Sequence, residues 1–114
     1  MMECIFCKII ERKLSARIVY EDDLVCAFED ITPQAPVHVL VIPKKHIATL
    51  LDLHESDNHL MGHLLKACST VAGMKGIAER GFRVVTNCNA ESGQTVYHIH
   101  FHVLGGRRMH WPPG

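Results

Sequence analysis

The segment from Val96 to Val103, which reads Val-Tyr-His-Ile-His-Phe-His-Val, constrains the fold more than any other part of the chain. Successive side chains of a β-strand point to opposite faces of the sheet. A strand here would place three imidazoles on one face and three apolar side chains on the other: His98, His100 and His102 against Ile99, Phe101 and Val103. We therefore predict a strand over 96–104 with one face in the core and one face free for chemistry.

The rest of the chain predicts a mixture of strands and helices. Apolar spacing predicts a short N-terminal helix over 5–13 and one long helix that starts at the N-cap Ser56 and runs to Gly73. Short β-prone runs predict further strands at 17–20, 24–29, 37–42 and 82–86. With 114 residues there is room for one core, so we predict a single α+β domain over 1–114. Its sheet should be mainly antiparallel, with about five strands.

Charge and hydropathy exclude several classes of function. Twelve basic residues balance twelve acidic ones, so the chain has no general positive field to attract nucleic acid. No segment reaches the ~20 apolar residues of a membrane span, and the N-terminus does not resemble a signal peptide. We expect no nucleic-acid partner, no membrane partner and a cytoplasmic location.

Two kinds of chemistry fit an imidazole-bearing strand. Alternate histidines can ligate zinc, or one neutral imidazole can attack phosphorus while its neighbours bind and orient the substrate. The preceding Gly93-Gln94-Thr95 offers a flexible backbone, an amide and a hydroxyl, which are groups that hydrogen-bond phosphate oxygens. This tripeptide favours phosphate chemistry.

The five cysteines are an odd set in a chain without signs of secretion, which favours thiols or metal ligands over disulfides. Cys4 and Cys7 form a C-x-x-C pair, and this spacing allows both to bind one tetrahedral zinc when two further ligands are available. The alternative is that they are two small residues of a helix. Both interpretations stay open at this point.

Residues 93–106, Gly-Gln-Thr-Val-Tyr-His-Ile-His-Phe-His-Val-Leu-Gly-Gly, resemble the signature of the histidine triad (HIT) family. Three further segments resemble its HINT branch: 30–36 (Asp-Ile-Thr-Pro-Gln-Ala-Pro), 41–46 (Val-Ile-Pro-Lys-Lys-His) and 109–114 (Met-His-Trp-Pro-Pro-Gly). The resemblance implies a homodimeric α+β hydrolase that cleaves the P–N bond of purine nucleoside phosphoramidates and releases nucleotides of the AMP or GMP type. It implies no cofactor for this reaction.

The resemblance also implies roles for individual residues. His100 matches the nucleophile that forms a nucleotidyl-imidazole intermediate, and Thr95 matches a hydroxyl that assists the leaving group. His98, the first histidine of the triad, and His38 would support the reaction beside His100. The nucleotide-binding positions implied are the phosphate contacts His102, Asn87, Gly93 and Gln94, the ribose carboxylate Asp30, the base cleft of Phe6, Ile9, Phe28 and Ile31, and Trp111, which would reach the neighbouring subunit.

Some relatives in the wider family complete a structural zinc site with two histidines, which correspond here to His46 and His98. The resemblance thus implies Cys4, Cys7, His46 and His98 as zinc ligands. This chain departs from the family pattern at Thr95, where serine is frequent, and at Asn89, where glycine is usual. Asparagine tolerates positive φ better than most residues, so we expect the loop to keep its shape.

Two alternative functions remain. In another branch of the family the substrates are dinucleoside polyphosphates, and the leaving group is then a phosphate. A nucleotide-sensing or partner-binding module with incidental catalysis is the third possibility.

Overall fold

The structure, a computed structural model, describes residues 3–114 as five strands, two α-helices and three short 3-10 turns. The strands are β1 (Ile18–Glu21), β2 (Val25–Glu29), β3 (Val37–Pro43), β4 (Phe82–Thr86) and β5 (Phe101–Gly105). The helices are α1 (Ile5–Ile10) and α2 (Asn58–Met74), and the 3-10 turns are Leu50–Asp52, Glu55–Asp57 and Ala90–Ser92. The predicted α+β architecture, with one long helix and one short N-terminal helix, is confirmed.

The five strands form one antiparallel sheet in the order β1-β2-β3-β5-β4. The two central strands, β3 and β5, pair His38 with Leu104 and Leu40 with His102. His38 and His102 are therefore diagonal neighbours on one face of the sheet, close enough for their rings to meet.

Each face of the sheet is covered by one helix. Helix α2 packs Leu64, Cys68 and Val71 onto one face, where Ile99, Phe101 and Val103 also lie in the main core. Helix α1 covers the other face with Phe6 and Ile9, which pack against a second cluster made of Cys26, Phe28, Leu40 and Ile42. The imidazoles of His38 and His102 share this second face.

The long helix begins one residue later than predicted, because its N-cap is Asp57 and not Ser56. Ser56 lies inside the 3-10 turn Glu55–Asp57, and α2 starts at Asn58. The carboxylate of Asp57 accepts a hydrogen bond from the main-chain N–H of His54 (2.9 Å) and another from the Lys45 ammonium (2.7 Å). Asp57 thus caps the turn that leads into the helix.

The first helix ends at Ile10 rather than at residue 13, because Arg12 adopts a φ of +63° that a right-handed helix does not allow. No helix in the 3–114 range combines the length and the apolar character needed to cross a membrane.

Candidate active site and metal-ligand cluster

The segment 96–100 is not part of a strand, in contrast to the strand predicted over 96–104. Strand β5 begins at Phe101, so only His102 of the triad lies in the sheet. The preceding residues bond to the loop after β3: Ile99 N–H donates to the carbonyl of Ile47 at 2.7 Å. The alternation of side chains nevertheless holds, because Ile99 lies in the main core beside Phe101 and Val103.

His100 is held in one orientation with one ring nitrogen free. Its Nδ1 donates to the main-chain carbonyl of His98 at 2.8 Å. The edge of its ring meets the ring of Phe6, with centroids 5.2 Å apart, and the side chain is only 8% exposed. Since Nδ1 carries the proton in this hydrogen bond, Nε2 of the neutral ring has a lone pair, as a nucleophile requires.

A chain of hydrogen bonds fixes the tautomers of His38 and His102. The main-chain N–H of Gln34 donates to His38 Nδ1 at 3.0 Å, so the proton of neutral His38 is on Nε2. That Nε2 lies 2.9 Å from His102 Nδ1 and donates to it. His102 must then carry its proton on Nε2, which makes this nitrogen a hydrogen-bond donor. The ring of His102 lies next to that of His100, with centroids 5.1 Å apart.

Burial keeps these imidazoles neutral. Desolvation, together with the neighbouring His100 and His38, lowers the pKa of His102 to about 4, although Asp30 opposes this shift. Desolvation also lowers the pKa of His38, although Asp30 opposes this effect from 3.4 Å away. Near neutral pH both rings are uncharged and keep the tautomers described above.

His98 turns away from the other two triad histidines and faces two cysteines. Its Nε2 donates to the carbonyl of Pro43 at 2.8 Å, which leaves Nδ1 as an acceptor. Nδ1 lies 3.4 Å from Cys4 Sγ and 3.1 Å from His46 Nδ1, and Cys7 Sγ lies 3.3 Å from His46 Nδ1. The four ligand atoms lie within 4.8 Å of one another.

The donor set and geometry of this cluster fit a structural zinc ion. Ligands at Zn–S of about 2.3 Å and Zn–N of about 2.0 Å in a tetrahedron lie roughly 3.3–3.8 Å from each other. Desolvation and the adjacent Cys4 raise the pKa of Cys7 to about 11, so that its thiolate needs a nearby cation. The bond from His98 to Pro43 is the kind of outer interaction that orients metal-ligating imidazoles.

The predicted phosphate-binding loop is organised by Gln94. Its Oε1 accepts from Asn89 N–H at 2.7 Å, and its Nε2 donates to the carbonyls of Ala48 (2.9 Å) and Val96 (3.1 Å). The buried Gln94 amide is thereby used within the protein, and contact with a phosphate would require it to exchange one of these bonds. Asn87 is half-buried and Gly93 is exposed, with a φ of +95°.

Thr95 is exposed and does not line the cavity that contains His38 and Asp30. It lines a cavity of about 480 Å³ that also contains Cys4 and His46.

The residues predicted to bind base and ribose are divided between a core and a cavity. Phe6, Ile9 and Phe28 are buried in the second apolar cluster. Asp30, Ile31 and His38 line a cavity of about 530 Å³ together with Arg17, Pro33 and Pro36, and Ile31 is 96% exposed. One carboxylate oxygen of Asp30 accepts from Thr32 N–H at 2.8 Å. Trp111 is 82% exposed near the C-terminus.

Some contributors to the site have no side-chain signal in the sequence. Backbone groups fix which ring nitrogen carries the proton in three histidines: the N–H of Gln34 for His38, the carbonyl of Pro43 for His98 and the carbonyl of His98 for His100. Nearly every residue has such backbone groups, so the sequence does not mark them. On helix α2, the Nε2 atom of His63 lies 2.7 Å from Asp22 Oδ2. This contact joins α2 to the β1–β2 connection.

A family model described as the HIT domain matches residues 11–109. Among curated proteins, an uncharacterized HIT-like protein of Synechococcus elongatus is 54% identical over 112 residues, which is 98% of this chain and 97% of that protein. A second uncharacterized HIT-like protein, from Synechocystis, has the same identity and coverage.

Solved structures agree with this match. The crystal structure of a HIT family hydrolase from Legionella pneumophila superposes with a TM-score of 0.96 at 50% identity, covering 98% of this chain and all of the other. A HIT family hydrolase from Clostridium thermocellum gives a TM-score of 0.93 at 50% identity over 96% of both chains. The chain thus shares the fold of HIT family hydrolases. Together with the histidine geometry, these matches show that the chain belongs to the HIT domain family.

Proposed function

We propose that this protein hydrolyses nucleoside 5′-phosphoramidates through a covalent nucleotidyl-imidazole intermediate on His100. The observation that carries the proposal is the fixed tautomer of His100: its Nδ1–H is held by the His98 carbonyl, so the lone pair of Nε2 is available. The similarity to HIT family hydrolases supports a hydrolytic reaction.

The reaction has two displacements at the α-phosphorus. In the first, His100 Nε2 forms a bond to phosphorus while the P–N bond breaks, and the departing amine nitrogen takes a proton from solvent water; the water that attacks in the second step returns a proton to the solvent. In the second, water forms a P–O bond, the phosphorus–imidazole bond breaks, and the nucleoside monophosphate leaves. Splitting the displacement in this way needs only an imidazole and water. The Nδ1–H bond to the His98 carbonyl stabilises the positive charge that the ring gains on attack.

His102 is suited to bind a non-bridging phosphate oxygen. Its Nε2–H is a donor because Nδ1 already accepts from His38. A neutral donor next to the nucleophile stabilises the negative oxygens of the phosphoryl group without protonating His100. His38 then acts as a positioning residue for His102.

The cavity bordered by Asp30, Pro33 and His38 is the proposed place for the ribose and base. It adjoins the His38–His102 pair, and Asp30 Oδ2 is an acceptor that suits a ribose hydroxyl. The volume of about 530 Å³ is in the range of small-molecule sites.

Turnover of adenosine 5′-phosphoramidate tests the proposal. We expect AMP release by the unmodified protein and a loss of at least about 1,000-fold in kcat for His100→Ala, because the covalent route is then closed. His59→Ala is the matched control, since His59 is an exposed histidine of α2 and its removal should leave kcat unchanged. If diadenosine polyphosphates are hydrolysed faster than adenosine 5′-phosphoramidate, the protein acts like the branch of the family that cleaves dinucleoside polyphosphates. If nucleotides bind without turnover, the protein is a nucleotide-sensing module.

We also propose that Cys4, Cys7, His46 and His98 bind a structural zinc ion. The Sγ and Nδ1 distances and the raised pKa of Cys7 support this assignment. The ion would join the start of α1 to the loop after β3 and to the triad segment. Metal analysis of freshly purified protein in reducing buffer should give one zinc per chain, and Cys7→Ser should reduce this content well below one.

The active form is proposed to be a homodimer in which Trp111 reaches the partner's site. The 82% exposure of Trp111 in the single chain supports a role in contact with another molecule. Light scattering after size exclusion should give twice the 12.8 kDa chain mass. Removal of residues 111–114 should lower turnover more than it lowers the melting temperature.

A further inference from the structure

We propose that a second cavity, separate from the triad, binds a small polyphosphate anion. This arginine cavity is lined by Arg80, Arg83, Arg107 and Arg108, with Phe82, Met109 and two glycines completing its wall. It lies where β4 begins and β5 ends, and its volume is about 450 Å³.

The cavity concentrates positive charge in a chain that has no excess of it. The chain contains six arginines, and basic and acidic residues are equal at twelve each. Four of these arginines line this one cavity, and no acidic residue does. Within residues 3–114, none of the four takes part in an ion pair. Guanidinium groups collected in this way repel each other unless an anion lies among them.

Main-chain carbonyls orient two of the guanidinium groups without neutralising them. Arg83 Nη2 donates to the carbonyl of His110 at 2.9 Å. Arg107 donates from Nε and Nη2 to the carbonyl of Gln34 at 3.2 and 3.0 Å. Each guanidinium has five N–H donors, so both retain donors for a ligand. Arg80 and Arg108 are exposed and add two more charged groups at the rim.

The backbone that presents Arg107 is also constrained. Gly106 has a φ of +91°, and a Cβ at this position would lie 2.8 Å from Pro36 Cβ. Only glycine allows this turn and this close approach. The turn places Arg107 beside Gln34, where the carbonyl can hold it.

The chemistry of the cavity favours a phosphate chain. Guanidinium groups bind phosphate oxygens in paired, charge-assisted hydrogen bonds, and four of them suit an anion with several charges. His100 precedes β5 and the cavity follows it, so the two sites lie roughly 17–20 Å apart along the strand. The arginine cavity also shares no lining residue with the cavity proposed for the ribose and base, although the two adjoin where Gly106 meets Pro36. A nucleic acid fits less well, because the cavity is small and the rest of the chain is neutral.

Isothermal titration of inorganic tripolyphosphate into the full chain tests the proposal, with AMP present in excess to occupy the triad site. We expect saturable binding that weakens at least tenfold in Arg80→Gln/Arg108→Gln. The control Lys13→Gln/Lys66→Gln removes two charges elsewhere and should bind as the unmodified protein does. Arg80 and Arg108 are both exposed, so the variant that lacks them should keep its melting temperature. A second variant, Arg83→Lys/Arg107→Lys, keeps the charge but loses the paired hydrogen bonds, and it should also bind tripolyphosphate more weakly.

Four results would overturn the proposal. They are the absence of saturable heat, equal weakening in the lysine control, binding that is seen only when AMP is left out, and tighter arginine-dependent binding of a single-stranded oligonucleotide. A parallel titration with ATP separates the two sources of the anion. Equal affinities for ATP and tripolyphosphate assign recognition to a free phosphate chain, and tighter ATP binding assigns it to a nucleotide.

Discussion

His100 Nδ1 donates its proton to the main-chain carbonyl of His98 at 2.8 Å, while the His98 ring faces Cys4, Cys7 and His46. One residue thus holds the proposed nucleophile through its backbone and belongs to the proposed zinc site through its side chain. The stability of the sulfur–imidazole cluster and the orientation of His100 are linked by this geometry.

Removal of zinc should destabilise the fold and disturb His100. The ion would hold together three segments that are distant in sequence, and binding to the folded state alone adds stability. We expect a chelator to lower the melting temperature by about 5 °C or more, on the basis that 1 kcal/mol corresponds to about 4–8 °C in a domain of this size. Cys88→Ser, which changes a thiol outside the cluster, should melt and respond to chelation like the unmodified protein. An unchanged melting temperature after complete loss of zinc would contradict the proposed structural role.

Substitution of His38 by alanine should reduce kcat by about 10-fold to 100-fold. The variant loses the donor that fixes the tautomer of His102, and a lost buried hydrogen bond costs about 1–3 kcal/mol. Nitrogen-15 NMR of the His102 ring should show a single Nε2–H tautomer in the unmodified protein and a mixture in the variant. If the tautomer stays the same while kcat falls, His38 acts on the reaction in another way.

Stability should decrease as the pH falls from about 6.5 toward 4. The pKa of His102 is about 4 in the folded chain against an ordinary value of 6.5, so the unfolded chain binds more protons within this window. The free energy of unfolding therefore rises with pH there and is fully regained above 6.5. Urea unfolding at pH 7 and pH 5 measures the difference. His102→Gln should make it smaller, and an equal difference in that variant would assign the effect to other groups.

Replacement of Asn89 by glycine should stabilise the protein by about 1 kcal/mol. Asn89 has φ +68° and ψ −176°, a backbone region that is occupied almost only by glycine. Glycine removes this strain and keeps the N–H bond to Gln94 Oε1, although the entropy of the unfolded chain offsets part of the gain. Ala90→Gly is the control and should be destabilising. Chemical unfolding measures both, and a loss of stability in Asn89→Gly would show that the asparagine side chain contributes more than its strain costs.

The sequence predicted the sheet and the longer helix well because their patterns are local. The apolar run 37–42 and the β-prone run 82–86 correspond closely to β3 and β4. The strand predicted over 96–104 was wrong in its first half. There the backbone bonds to the loop after β3 rather than to a neighbouring strand, and alternation alone does not reveal this difference.

The sequence predicted which side chains form the site, but not the hydrogen bonds and strand pairing that bring them together. The triad motif indicated His100, and the cysteine spacing together with the family resemblance indicated the four-residue cluster. The tautomer of His102 depends on a backbone N–H of Gln34, 68 residues away in sequence. The arginine cavity combines two pairs of residues that only the β4–β5 pairing brings together.

The proposed reaction requires a covalent intermediate on His100. Rapid mixing with adenosine 5′-phosphoramidate, followed by alkaline quenching and peptide mass spectrometry, detects it directly because phosphorus–imidazole bonds survive alkali better than acid. We expect an adenylyl group on the peptide that contains His100 and none in His100→Ala. Steady AMP production without an adduct, or an adduct on another residue, would show that hydrolysis does not proceed through His100.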